Sequence, residues 1–185
     1  MHSNELWQVY NNNGTPIPGK GAYKDEFDAH KDLIMGNAHI WFWKPNGQTV
    51  AILLQKRSLA KPTRPGWFHI SAGGHINVGE TPVAAALRET EEEMGLKIEA
   101  SKLHFIHAVR IVERDPRDIV HVFLYKLRGD EKFIHTDGEA DSYEWRSLDN
   151  FKKITKDAAN HNLVPQGTLY FETLIAALEH LAFKR

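Results

Sequence analysis

The stretch from Gly74 to Leu96 constrains this chain more than any other. It reads GHINVGETPVAAALRETEEEMGL, a glycine-bearing turn that runs straight into a glutamate-rich helix. Thr81 before Pro82 predicts the helix start: a hydroxyl accepts a free backbone N–H, and proline follows at the first helical position, where its missing donor costs nothing. Gly95 followed by Leu96 predicts the stop, a left-handed residue and then an apolar one. Between these ends Glu89, Glu92 and Glu93 stand at i, i+3 and i+4, so one helix face carries all three carboxylates. Val83, Leu87, Thr90 and Met94 form a different stripe, expected to pack on a core. Like charges at this spacing repel by about 0.2–0.5 kcal/mol per exposed pair. The cluster therefore calls for a cationic partner. An all-oxygen ligand set suits magnesium or manganese rather than zinc.

Around this stretch the pattern mixes hairpins with helices. Glu5 to Tyr10 is a strand ended by Asn11-Asn12-Asn13-Gly14, strong turn chemistry. Pro16 to Lys24 reads as irregular, and Asp25 to Met35 as a short helix or turn. Ala38 to Trp43 and Val50 to Arg57 are β-rich runs joined through Pro45-Asn46-Gly47. Ser58 to Gly66 is a loop, and Trp67 to Ala72 a short strand. Leu103 to Arg114 and Ile119 to Leu127 flank a second hairpin at Asp115-Pro116-Arg117. Ser142 to Arg146 is a strand and Ser147 to Lys156 a short helix. Thr168 to Phe183 is a helix, with Phe171, Leu174, Ile175, Leu178, Leu181 and Ala182 at helical spacing. A mixed sheet covered by helices is the economical architecture.

Composition narrows the function classes. The chain has 185 residues and a formal net charge of −1, about one domain on a prior of roughly 100–200 residues each. A general nucleic-acid binder would show a strongly basic balance. No apolar run is long enough to span a bilayer, and no secretory leader is recognisable. The chain contains no cysteine, which removes disulfides, thiolate zinc sites and thiol nucleophiles together. A soluble, cytoplasmic protein is expected.

The spacing G-x5-E-x7-R-E-U-x-E-E-x-G-U, with U bulky and apolar, is filled by Gly74, Glu80, Arg88, Glu89, Thr90, Glu92, Glu93, Gly95 and Leu96, and only Thr90 departs from it. This pattern resembles the signature of the Nudix hydrolases. The likeness extends to Ile52-Leu53-Leu54-Gln55-Lys56-Arg57, Pro65-Gly66 and Ser71-Ala72-Gly73-Gly74-His75, which look like the branch related to isopentenyl diphosphate isomerase. The resemblance implies an α/β/α sandwich with a mixed β-sheet and the loop–helix–loop at 74–96. Residues 1–185 then form one domain, with an N-terminal extension at 1–36 and the closing helix at 168–183. The implied activity is divalent-metal-dependent hydrolysis of a pyrophosphate bond in a nucleoside diphosphate derivative (NDP, NTP or NDP-X). Glu89, Glu92 and Glu93, with the Gly73 carbonyl, would hold Mg2+ or Mn2+, and Arg88 would orient the carboxylates. The base that deprotonates water is left open between the helix glutamates and a later loop, as relatives differ in this, and of the later carboxylates Glu139 is a better candidate than Glu144. Arg57 and Lys61 are expected to bind substrate phosphate, ahead of Arg64 and Arg110, with Arg110 kept as a further candidate. Trp41, Trp67 and Phe68 could stack a base, although strand aromatics are more often core. The partner is a small phosphorylated molecule, a nucleotide by analogy, and a homodimer is common in the wider family.

Bland readings stand beside these. A glutamate run on a helix is ordinarily a solvated face, and the full signature is what reverses that expectation. Arg57 and Lys61 are about as well read as surface charges. His69, His107 and His121 are expected to be hydrogen-bonded structural residues, and His75 either a metal ligand or a brace for its turn. The isomerase itself is one alternative, but its catalytic cysteine falls at Gly73, its N-terminal metal histidines near Asp28 and Met35, and its paired glutamates at Pro116 and Asp118. A non-catalytic nucleotide-binding module is the other, and such modules usually lose signature carboxylates.

Overall fold

The computed structural model describes residues 5–111, 115, 117–134 and 138–183. In chain order the elements are β1 (Trp7–Tyr10), β2 (Pro16–Ala22), α1 (Lys24–Ala29), β3 (Ile34–Asn46), β4 (Thr49–Arg57), β5 (Phe68–His69), β6 (Ala72–His75), α2 (Pro82–Met94), β7 (Leu103–Arg110), β8 (Asp118–Lys126), β9 (Ala140–Ser147), α3 (Leu148–Thr155) and α4 (Thr168–Phe183). β3 is the spine of a mixed sheet. One of its edges runs parallel to β8 from Met35–Asp118 to Trp43–Lys126. The other is divided along its length among β1, β6 and β4, all antiparallel. β4 reaches beyond β3 to pair with β5 and β9.

Alternation along β3 sorts its side chains to two cores. Ala38, Ile40 and Phe42 pack with Ala85, Ala86 and Met94 of α2. Trp41 and Trp43 face the other way, onto Phe151 of α3 and Tyr170, Phe171 and Leu174 of α4. With helices on both faces the central strands must be apolar on both sides, which explains the nearly unbroken apolar runs of β3 and β4. The α/β/α sandwich is as expected. The hairpin at Pro45-Asn46-Gly47 and the last helix also form where the sequence places them.

Several local expectations differ from the structure. Pro16 to Ala22 is a strand, not irregular chain, because β1 supplies its hydrogen-bonding partner. It lies at the end of the strand order, where proline and glycine are tolerated. Trp67 to Ala72 is not one strand. β5 pairs with β4 and β6 with β3, and Ser71 between them donates to Leu53 O (2.6 Å) and accepts from Phe42 N (2.9 Å). β7 ends at Arg110; residues 112–114 and Pro116, within the expected strand and hairpin, lie outside the described residues. On α2 the buried positions are Ala85, Ala86, Glu89, Thr90, Glu93 and Met94. Val83, expected inside, is 37% exposed. The two alanines let the helix sit close to the sheet, and that approach turns two of the glutamates inward.

α4 is fastened to the sheet by polar contacts as well as apolar ones. The Tyr170 hydroxyl accepts from Trp41 Nε1 at 2.7 Å and lies 2.9 Å from His39 Nδ1. His107 Nδ1 meets Thr173 Oγ1 at 2.9 Å, and His69 meets Gln166 at 3.0 Å. His69 and His107 are thus hydrogen-bonded as expected. Burial lowers the pKa of the His121 imidazole, an effect partly offset by its hydrogen bond to the Asn37 backbone, while its Nδ1 is buried with no partner among the described residues. Tyr170→Phe deletes two contacts of the Tyr170 hydroxyl while keeping the ring. It should lower stability by about 1–3 kcal/mol, seen as a lower urea midpoint at unchanged slope.

Candidate functional site

The site begins with how α2 is mounted. Thr81 Oγ1 accepts from Ala84 N at 3.1 Å. Gly95 takes a left-handed φ of 63° and returns its N–H to Glu91 O at 2.9 Å. The helix therefore has the ends its sequence signals. β6 is wedged between α2 and β3 with no room for a side chain at its two glycines. A Cβ on Gly73 would stand 2.3 Å from Ala38 O, and one on Gly74 would stand 2.3 Å and 2.7 Å from the two carboxylate oxygens of Glu89.

Arg88 ties the carboxylates together. Its Nε and Nη2 donate to the two oxygens of Glu80 at 3.0 and 3.1 Å, a bidentate pair. Nη1 donates to Glu89 at 2.7 Å and to Glu92 at 2.9 Å, and Nη2 also donates to His75 O at 2.8 Å. These bonds match the five N–H donors a guanidinium carries. Glu80 raises the Arg88 pKa through its hydrogen bonds and Glu89 through its charge, which together outweigh the lowering by burial. Glu80 is thus held in a structural pairing with Arg88. The cation called for by the clustered glutamates is, in part, the chain's own arginine.

Glu89 and Glu93 are 9% and 6% exposed. Burial pushes the Glu89 carboxyl up to about 7 from its ordinary 4.5, even against the adjacent arginine. Its negative charge is under-compensated, the condition under which a further cation stabilises a carboxylate. Glu93 accepts from Gln55 Nε2 at 2.9 Å and from the Gly73 N–H at 3.3 Å. Among the described residues, no three His, Asp or Glu side chains form a ready-made ion cage. The donor chemistry nevertheless fits a hard divalent cation: carboxylate oxygens only, one of them laid in a cradle that a Cβ on Gly74 would fill.

The other expected site residues divide into two groups. Arg57, Lys61 and Glu139 gather on the rim beyond Gln55. Lys61 forms an ion pair with Glu139, Ser58 N donates to Glu139 O at 2.9 Å, and Arg57 Nε and Nη2 donate to Thr63 O at 3.3 and 3.2 Å. In the same loop Arg64 holds φ 48° and lies 5.5 Å from the Trp67 ring centroid. Glu144 opposes Leu54, whose side chain belongs to the α3/α4 core, and bonds Arg146. It faces away from α2. Arg110 stands apart, at the end of β7 with β8 and β3 between it and β6. Trp41 and Phe68 pack in or against the α3/α4 core. A groove of about 740 Å³ opens between α3 and α4, lined by Lys152, Phe171 and Ile175 among others. No signature residue reaches it, so the chemistry argues for α2 as the site rather than the groove.

The NUDIX domain family model matches residues 35–166. The chain belongs to the Nudix family. It is 33% identical to Nudix hydrolase 3 of Arabidopsis thaliana over 119 residues, covering 63% of this chain and 13% of that protein. A 45-residue stretch is 49% identical to an isopentenyl-diphosphate Δ-isomerase of Streptomyces griseus, covering 24% of this chain and 23% of that one. The chain thus spans less than a quarter of either relative, and the isomerase likeness is confined to a short segment. Among solved structures, a Deinococcus radiodurans protein superposes with TM-score 0.70 at 19% identity, covering 94% of this chain and 99% of that chain. A Caenorhabditis elegans Ap4A hydrolase superposes with TM-score 0.58 at 19% identity, covering 80% and 99%. These two carry the fold alone. Nudix hydrolases generally need a divalent metal.

Sequence reasoning missed two residues that contact this site: Gln55, bonded to Glu93, and Trp7, whose ring stacks on His75. Gln55 was legible as a lone polar residue in an apolar strand run, which must find a buried partner. Trp7 gave no signal, since its contact with the signature loop is set by the fold.

The Glu89 shift has a consequence with a definite sign. A folded-state pKa near 7 against an ordinary 4.5 means that the folded protein holds the proton more tightly. Its contribution to stability is present below the ordinary value and is lost as pH rises through the folded one. After chelator treatment, urea midpoints should fall between about pH 5 and pH 7.5, and Glu89→Gln should flatten that slope.

Proposed function

We propose that this Nudix chain hydrolyses a pyrophosphate bond in a nucleoside diphosphate derivative, with Mg2+ or Mn2+. The observation that carries the reading is the convergence of Gly73, Arg88, Glu89, Glu92 and Glu93 at one place between α2 and β6. Glu89, Glu92 and Glu93 would hold the metal together with the Gly73 carbonyl. A bound divalent ion supplies charge neutralisation on phosphoryl oxygens and lowers the pKa of water. Arg88 orients Glu89 and Glu92 and balances part of their charge, while Gln55 fixes Glu93. On the rim, Arg57 and Lys61 receive substrate phosphate and Glu139 accepts the proton from the attacking water. A phosphate that draws Lys61 to itself releases Glu139, so the ion pair couples substrate arrival to the base. Arg110 has no part in this set. The choice of a nucleotide as substrate rests on membership of the Nudix family.

The isomerase alternative is disfavoured by the same geometry. The chain has no cysteine, and a side chain at Gly73 would collide with the β3 backbone. A purely binding module is disfavoured by the complete carboxylate set.

Release of phosphate or nucleotide from nucleoside di- and triphosphates, dinucleoside polyphosphates and nucleotide sugars, with Mg2+ and with chelator, tests the reading. Metal-dependent turnover is expected on at least one class. Glu93→Gln should lower kcat by about 100-fold or more, at or beyond the upper range for outer-shell partners of a metal, with an unchanged far-UV spectrum. No metal-dependent turnover on any substrate, or full activity in Glu93→Gln, would overturn it.

A further inference from the structure

The NUDIX match begins at residue 35, yet the chain before it reaches the signature loop. Residues 6–8 run antiparallel to 76–78: Gln8 N donates to Ile76 O at 2.8 Å, Val78 N donates to Leu6 O at 2.9 Å, and Trp7 bridges Asn77. Gly79 N also donates to Gln8 Oε1 at 3.4 Å. Trp7, 6% exposed, lies flat on the His75 ring, with centroids 3.5 Å apart and planes within 7°. The Phe27 ring of α1 closes on the indole edge-on at 6.0 Å. His75 is also the residue whose carbonyl accepts from Arg88 Nη2.

We propose that Trp7 is a positioning residue of the Nudix site: stacked on His75, it fixes the His75 carbonyl and thereby the Arg88 guanidinium that bridges Glu89 and Glu92. The inference rests on the hydrolase reading above. Its physical basis is donor saturation. All five Arg88 donors are engaged, so the guanidinium cannot swing toward one acceptor without abandoning another. The His75 carbonyl is the one acceptor of the five supplied by backbone, and backbone is placed by what holds its loop. The loop is held by β1 through main-chain bonds and by Trp7 through a planar stack that only a flat side chain can provide. Loosening that stack lets Arg88 tilt, and the two carboxylates it bridges lose their common orientation. His75 acts here as a brace.

Full-length Trp7→Phe, Trp7→Ala, His75→Ala and the Trp7→Ala/His75→Ala double variant decide the matter, with two readouts. One is Mn2+ binding followed by loss of the free-ion EPR signal. The other is kcat and KM on whichever substrate the wild type turns over. Trp7→Ala and His75→Ala should each weaken Mn2+ binding and lower kcat by about 10-fold or more, as loss of an outer-shell support does, with KM little changed. The double variant should be no worse than either single one, because the two rings act as one unit. Trp7→Phe, which keeps a flat face, should recover most of both. If Trp7→Ala fails to fold, His75→Ala and Trp7→Phe still decide. Wild-type Mn2+ affinity and kcat in His75→Ala, or additive losses in the double variant, would overturn the inference. A wild type that binds Mn2+ but hydrolyses nothing sinks the hydrolase reading alone, with the EPR titration still testing Trp7. A wild type that binds no Mn2+ overturns both.

Discussion

The guanidinium of Arg88 is the contact on which the site depends. Burying carboxylates is unfavourable unless charge and hydrogen bonds compensate it. α2 nevertheless turns Glu89 and Glu93 toward the sheet, because Ala85 and Ala86 bring it in close. Gln55 and the Gly73 N–H compensate Glu93, and Arg88 compensates Glu89 while also bonding Glu80, Glu92 and the His75 carbonyl. Compensation is incomplete at Glu89, whose pKa stays high. The same arrangement that permits burial therefore leaves a site with residual affinity for positive charge. Stability and function pull on one side chain, and neither is satisfied by the arginine alone.

β3 divides the labour between the two faces of the sheet. Toward α4, the paired polar groups are internal fasteners: Tyr170, Thr173 and Gln166 each meet a strand histidine. Toward α2, polar groups end in carboxylates beside the backbone of Gly73 and Gly74. Both faces hold buried polar residues, but only the α2 face gathers an excess of one charge, with Glu80, Glu89, Glu92 and Glu93 set against the single guanidinium of Arg88. That asymmetry, rather than concavity, separates the candidate site from the α3/α4 groove.

What was legible in the sequence was what short-range physics controls. The α2 termini followed from Thr81, Pro82 and Gly95, whose caps use only neighbouring atoms. The last helix followed from its period. The signature located the arginine and glutamates that meet in space, though it did not show their partners. Val83 was misjudged because an amphipathic stripe ignores glutamates that can be buried once other elements satisfy them, as Arg88 does for Glu89 and Gln55 for Glu93. β2 was missed because its strand character comes from β1 rather than from its own proline- and glycine-rich sequence. Gly74 looked like a turn residue and Gly73 like a carbonyl ligand. Their need for a missing Cβ arises from Ala38 and Glu89, which arrive from other elements. The Trp7–His75 stack was beyond reach for the same reason.

The divided edge of β3 also imposes an order of assembly. As the chain emerges from the ribosome, β4 is the first partner for β3 to appear downstream, through a short hairpin. β6 follows, and β1 gains its bonds to residues 76–78 only then. The parallel partner β8 comes later still, across the whole of α2 and β7, and such distant pairings are slow to close. Until Lys126 has been made, a long apolar edge from Met35 to Trp43 has no neighbour, the kind of open edge that recruits other chains. The nascent protein thus carries its signature loop and helix before the sheet beneath them is complete, and that interval is where a chaperone would have most to cover.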